Sequence, residues 1–171
     1  MAEIVSVVGK KGAGKSEVLE QLIARLSNKK LRVGVLKRLR RDDFEIDEPG
    51  KDTYRYRMNG AERVILAGRK RLALFSNLEQ EISLEDLVAF FYGFDLVFAE
   101  GYLQAEFPKI EVHKKEFGDL LLTEQVTNVI AVCSDGEGRF DAPCFSFEQL
   151  DQLADFVEEW LTKKTAEVFR A

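Results

Sequence analysis

One histidine and two cysteines leave this 171-residue chain little from which to assemble a metal-hydrolase centre or a histidine-dependent active site. His113 closes an apolar stretch with no histidine or cysteine beside it, so it reads as a surface or hydrogen-bonded core residue rather than a metal ligand. Cys133 and Cys144 lack a second pair or histidines at ligand spacing. No zinc site is expected, and the thiols read as buried or neutral in a reducing compartment. Long apolar runs are missing too: none approaches the ~20 residues that cross a bilayer. Residues 1–9 lack the basic start and small-residue cleavage site of a secretory signal, so a cytoplasmic chain without membrane association is expected. There are three prolines and no Gly/Ser/Pro-rich linker, and neither an internal repeat nor a low-complexity tract appears. With 46% hydrophobic residues, the expected organisation is one globular domain over residues 1–171.

Charge is unevenly spread. Residues 1–71 hold 18 Lys and Arg against 10 Asp and Glu, a net +8, and the remaining hundred carry −13, giving −5 in total. An early basic excess gathers anionic ligands. Nucleic acid is not expected among them, because Asp42, Asp43, Glu45, Asp47 and Glu48 interrupt the basic run and no aromatic-basic RNA-binding pattern accompanies it.

What the chain does have is a complete phosphate-binding loop, Gly9-Lys10-Lys11-Gly12-Ala13-Gly14-Lys15-Ser16, directly after the apolar run Ile4-Val5-Ser6-Val7-Val8. Glycines let successive backbone N–H groups turn inward, Lys15 supplies a mobile positive charge, and Ser16 offers a hydroxyl to Mg²⁺. Val18, Leu19, Leu22, Ile23 and Leu26 then recur at helical spacing. The positive end of that helix, from Ser16 and Glu17 onward, therefore faces the loop, and binding of a nucleoside triphosphate is expected.

Strand-like runs at residues 3–8, 32–37, 63–67, 72–75, 95–99, 109–113 and 128–133 alternate with helical patterns, which predicts an α/β fold with a mostly parallel sheet. The third and fourth runs are separated only by Gly68-Arg69-Lys70-Arg71 and suit a hairpin or adjacent edge strands. Ser83 with Asp86, and Ser146 with Gln149, read as helix N-caps. Trp160 falls on the apolar stripe Leu150, Leu153, Ala154, Val157 and Leu161, and is expected to pack in the core.

Leu96-Val97-Phe98-Ala99-Glu100-Gly101 is an apolar strand ending in an acid, the element that phosphate-loop proteins use to hold Mg²⁺. Glu100 is the candidate for that role, with Ser16, and Gly101 permits close backbone approach to phosphates. Lys15 and Glu100 are the candidate catalytic pair. Lys37 ends the second strand, at the sheet edge where open α/β folds bind ligands. Pro49-Gly50 closes the charged run, and Lys51, Asp52 and Arg55 fall on the first turns of a helix closed by Gly60.

The phosphate loop, Val33-Gly34-Val35-Leu36-Lys37, the segment from Asp43 through Pro49-Gly50-Lys51-Asp52-Thr53-Tyr54-Arg55 with Gly60-Ala61, Asp95 to Tyr102, Pro108 to Val112 and Val129 to Asp135 together resemble the MobB family, the molybdopterin-guanine dinucleotide biosynthesis adapter proteins. The resemblance implies a phosphate-loop NTPase sandwich with helices on both faces of the sheet. It also implies a homodimer that binds GTP and Mg²⁺, hydrolyses GTP weakly, and assists the guanylyltransferase joining GMP to molybdopterin, with molybdopterin itself a further candidate ligand. By position, Gly9, Lys10, Lys11 and Gly12 to Glu17 hold the phosphates, Glu100 serves the magnesium shell, and Asp47, Lys51, Asp52 and Arg55 line the remaining site. The chain departs from the family at Arg38, Leu39, Arg40 and Arg41, where histidines are common, and at Leu103, where lysine is common. The alternative is a small-molecule kinase that recruits Arg38 to Arg41 or Arg69 to Arg71 as a lid. No N-K-x-D base-reading motif is present; Asp135 either accepts from guanine N1–H and N2–H₂ or merely opens an Asp-Gly turn.

Overall fold

Ile4 to Val8 are all buried, which is the pattern of a strand covered on both faces rather than the alternation of a half-exposed one. In the chain's structure, a computed structural model, this run is the third of six strands in a parallel sheet. The described residues are 2–39, 44, 45, 47–118, 127–136 and 140–168. Their elements in order are β1 (Glu3–Val8), α1 (Lys15–Asn28), β2 (Val33–Lys37), α2 (Asp52–Met58), β3 (Arg63–Ala67), β4 (Leu72–Ser76), α3 (Leu84–Val88), β5 (Leu96–Glu100), β6 (Lys109–His113), β7 (Val129–Ser134), β8 (Cys144–Phe145) and α4 (Leu150–Val168).

The chain divides into two compact units, residues 1–39 with 88–171 and residues 40–87. In the first, the sheet runs β2-β5-β1-β6-β7-β8. One face is closed by α1 and α4: Val18, Leu22 and Leu26 of α1 and Leu153, Val157 and Leu161 of α4 share a core with Val5, Val7, Phe98, Ile110 and Val112. Trp160 packs against that core. On the other face Ile4, Val97 and Ala99 are covered by Val88, Phe91, Phe94, Tyr102 and Phe107. All seven expected strands form, within a residue or two of their expected bounds. β8 is the addition, two residues held by pairing of Val132 and Cys133 with Cys144 and Phe145.

Both expected caps form. Asp86 N–H donates to Ser83 Oγ at 3.1 Å, and Ser146 N–H donates to Gln149 Oε1 at 2.9 Å while Glu148 N–H reaches Ser146 Oγ at 3.3 Å. His113 is a hydrogen-bonded core residue: its Nε2 donates to the Gly118 carbonyl at 2.9 Å, and its Nδ1 lies 3.1 Å from Ser134 Oγ. Cys133 is buried, and burial pushes its thiol up to about 12, whereas Cys144 is exposed. Lys109 is 1% exposed, and its ammonium donates to the carbonyls of Ala105, Phe107 and Thr127 at 2.6, 3.0 and 3.1 Å. Burial lowers its pKa, and the three acceptors offset the cost of holding the charge inside. They tie down the stretch that crosses from the end of β5 to the start of β6.

In the second unit β3 and β4 form an antiparallel pair, Arg63 opposite Ser76 and Ala67 opposite Leu72, closed by Gly68 N–H to Arg71 O at 2.9 Å. This is the expected hairpin. Arg57 of α2 binds both carboxylate oxygens of Glu45 at 2.9 Å and stands 5.4 Å from the Phe75 ring centroid. Arg40, Arg41, Asp42, Asp43 and Ile46 lie outside the described residues.

Candidate functional site

The phosphate loop leaves the C-terminal end of β1 and turns at Gly9, whose φ is 148°. A Cβ there would stand 2.2 Å from the Val112 carbonyl oxygen, so only glycine lets the loop start so close to β6. The loop ends at Gly14, the N-cap of α1, which is left-handed (φ 91°) and carries no side-chain cap. Helix N-termini are usually capped by Ser, Thr, Asp or Asn. The uncapped start suits an external anion instead. Ala13, between the glycines, is 1% exposed and pins the loop to the core.

Lys15 folds back over the loop, donating to the carbonyls of Gly9 at 2.9 Å and Lys10 at 2.8 Å. Ser16 Oγ and Glu100 Oε1 face each other at 3.5 Å, longer than an ordinary O–H···O bond. Glu100 Oε2 lies 3.1 Å from Lys37 Nζ. Strand register explains this grouping, since Lys37 and Val7 both pair with Glu100 across β2-β5-β1. The Glu100 side chain is only 14% exposed, and Arg38 N–H donates to its backbone carbonyl at 3.0 Å. Gly101 (φ 95°) turns the chain immediately beyond it. Lys10, Lys11, Ser16 and Glu17 are exposed along the rim.

The first unit thus brings together Gly9 to Glu17, Lys37, Glu100 and Gly101. Asp47, Lys51, Asp52 and Arg55 belong to the second unit and make local pairs there. Asp47 accepts from Thr53 Oγ1 at 2.9 Å and Glu48 N–H at 3.0 Å and lies 3.5 Å from Arg57; Lys51 pairs with Glu48, and Asp52 with Arg55, each at 3.4 Å.

Three neighbours of the loop carry no sequence signal. Phe117 packs its ring 3.2 Å from the place a Gly12 Cβ would take, and its carbonyl accepts from Lys10 Nζ at 2.7 Å. Phe147 and Lys114 lie 3.4 and 3.7 Å from the corresponding point on Gly14, with the Lys114 ammonium 5.7 Å from the Phe147 ring centroid. Lys10, Ala13, Glu111, Val112, His113, Lys114 and Phe117 line a cleft beside the loop.

Residues 4–135 match a family model described as molybdopterin guanine dinucleotide synthesis protein B, MobB. The chain is 33% identical to the molybdopterin-guanine dinucleotide biosynthesis adapter protein of Haemophilus influenzae over 160 residues, 92% of this chain and 89% of that protein. It is 32% identical to the Escherichia coli adapter protein over 171 residues, covering 96% of each. In three dimensions it superposes on the crystal structure of a MobB protein homolog from Bacillus stearothermophilus with a TM-score of 0.72, at 23% identity and with 94% and 98% of the two chains covered.

Proposed function

Because the chain belongs to the MobB family, we propose that it acts in molybdopterin guanine dinucleotide biosynthesis as a GTP- and Mg²⁺-binding adapter, assisting the guanylyltransferase that attaches the guanine nucleotide. One observation carries the nucleotide part of this reading: an uncapped helix start behind two left-handed glycines, with Ser16, Glu100 and Lys37 converging beside it. Backbone N–H groups at Gly12 to Ser16 suit the phosphate oxygens. Lys15 exchanges its two loop carbonyls for the terminal phosphates. Ser16 Oγ and Glu100 Oε1 are the hard oxygen ligands that Mg²⁺ prefers, and Lys37 offsets the Glu100 charge until the cation arrives. A bound Mg²⁺ supplies charge neutralisation at the terminal phosphates.

Hydrolysis is slow in this reading. Rapid phosphoryl transfer needs an oriented water and additional positive charge on the transition state, often an arginine supplied in trans. The apolar residues exposed on β3 and β4, Ile65, Leu66 and Leu72, support a homodimer, because a two-stranded sheet is marginal without further cover. No helix among the described residues is long and apolar enough to cross a membrane, which accords with action on soluble partners.

Titration of the purified chain with GTP and ATP, with and without Mg²⁺, tests the reading. Lys15→Ala should weaken triphosphate binding at least tenfold, about 1.5–3 kcal/mol for a contact to a charged group, while remaining folded. Unchanged binding in the folded variant would remove it. Rapid single-turnover hydrolysis by the isolated chain would overturn the adapter reading and favour a kinase or a stand-alone NTPase. A light-scattering mass near 19.5 kDa at micromolar concentration would rule out the dimer.

A further inference from the structure

Charge along the phosphate loop is of one sign until Glu17. Lys10, Lys11 and Lys15 are the ionisable side chains of the loop, and Glu17 then stands in the first turn of α1. The helical ladder opens with Val18 N–H donating to Gly14 O at 3.0 Å, so the Glu17 amide lies ahead of it, among the groups suited to a phosphate. The Glu17 carboxylate is the opposite case. Its Oε2 lies 3.9 Å from the place a Gly14 Cβ would occupy, at the uncapped start of the helix, and the residue is exposed. A second charge meets it there. Lys114, which directly follows β6, brings its Cε within 3.7 Å of the same point, with its ammonium 5.7 Å from the Phe147 ring centroid. An acid from α1 and a base from beyond β6 therefore converge on the start of the helix. The group of Ser16, Glu100 and Lys37 contains neither.

We infer that Glu17 limits the affinity of the loop for phosphate and that Lys114 screens it. The inference rests on the triphosphate-binding reading above and adds what sets the strength of that binding. An acid in a first helical turn ordinarily stabilises its own helix, because it faces the positive end of the dipole. A bound phosphate draws on the same field, and two anions beside one helix start repel each other. The charge that supports α1 in the empty chain thus opposes the ligand in the loaded one. Lys114 acts in the other direction, since an ammonium at that point attracts the carboxylate and the phosphate alike. Glu17 is exposed and Lys114 half-buried, so both effects are moderate and weaken as salt screens them. The cradle keeps the backbone geometry that holds phosphates and carries one acid that loosens its grip, which favours ready release of the nucleotide.

Glu17→Gln separates the two roles, because it keeps the shape of the side chain and removes its charge. The full-length chain and E17Q would be titrated with GTP at low and high salt, in Mg²⁺ and in EDTA, with thermal melts confirming the fold. At low salt E17Q should bind GTP about threefold more tightly than the unsubstituted chain, in EDTA as well as in Mg²⁺, and the gain should shrink at high salt. A residue that only supports its helix gives the reverse, a lower melting temperature with no gain in affinity. Lys114→Met should weaken GTP binding by about threefold, and E17Q should gain more in that background than in the unsubstituted chain. E17Q that bound GTP no more tightly than the unsubstituted chain would overturn the inference and leave the triphosphate reading intact. The same result with Glu17→Ser would do so even if E17Q failed to fold. A gain confined to Mg²⁺ would also overturn it, because the charge would then act on the metal. Equal gains with and without Lys114 would remove the screening role of that lysine. Absence of any triphosphate binding in either protein would instead overturn the reading on which the inference rests.

Discussion

The two units of this chain treat their apolar residues in opposite ways. In the first, Leu96 to Ala99 of β5 are all fully buried, and α1 and α4 seal one face of the sheet with buried residues, Val18, Leu22, Leu26, Leu153 and Val157 having no exposed surface. In the second, α2 has no buried residue, and β3 and β4 leave Ile65, Leu66 and Leu72 more than half exposed. Parallel strands with both faces covered need continuous apolar sequence, while a two-stranded ribbon has too few neighbours to cover either face. Stability and the phosphate loop therefore reside in the same unit. The other leaves Ile65 and Leu72 exposed on one face of its ribbon and Leu66 on the opposite face, the observation on which the dimer proposal above rests.

The sharpest way to break this contrast is to shorten one leucine in each unit. Leu22→Ala removes a side chain with no exposed surface from the α1-α4 core and should lower unfolding free energy by about 2–5 kcal/mol. Leu72→Ala removes one that is 71% exposed and should change it by no more than about 0.5 kcal/mol at dilutions below any dimer dissociation constant. Denaturant melts that showed similar losses would mean that the second unit has a core of its own.

Glu100→Gln tests how tightly chemistry is confined to the first unit. The substitution keeps the shape but removes the charge facing Ser16 and Lys37. The Mg²⁺-dependent part of GTP affinity should fall roughly tenfold and the metal-free part should persist. Equal loss in EDTA would assign Glu100 to loop structure rather than to the metal.

The smallest effect is a pH dependence special to the first unit, since residues 40–87 contain no cysteine. Burial raises the Cys133 thiol from 9.0 to about 12, so the folded chain keeps a proton that the unfolded chain releases. Its contribution is intact below pH 9 and is lost between pH 9 and about 12, at up to about 1.4 kcal/mol per pH unit. Other groups titrate there as well. The measurement is therefore the difference in stability between the unsubstituted chain and Cys133→Ala, followed against pH. Apart from the constant cost of truncating a buried side chain, it should shift against the unsubstituted chain by a negligible amount up to pH 8 and by no more than about 1.5 kcal/mol at pH 10. A difference independent of pH would show that the thiol is not desolvated.

Sequence by itself determined the local features of this protein. Strands β1 to β7, the caps at Ser83 and Ser146 and the glycine loop were legible because periodicity, capping chemistry and left-handed backbone are set by residues within a turn or two of each other. β8 was not, because two residues make a strand only through pairing with Val132 and Cys133. The same distinction divides the candidate site. Gly9 to Ser16 could be read as a contiguous motif, and Glu100 as an acid ending an apolar strand. That Glu100 faces both Ser16 and Lys37 was decided by the β2-β5-β1 register, and that Phe117, Lys114 and Phe147 wall the loop was decided by where the ends of β6 and the start of α4 arrive. Those residues are 84 and more positions away from the loop residues they meet, or 63 in the case of Lys37 and Glu100. No local pattern encodes such meetings; they follow only from the order in which a parallel sheet stacks its strands.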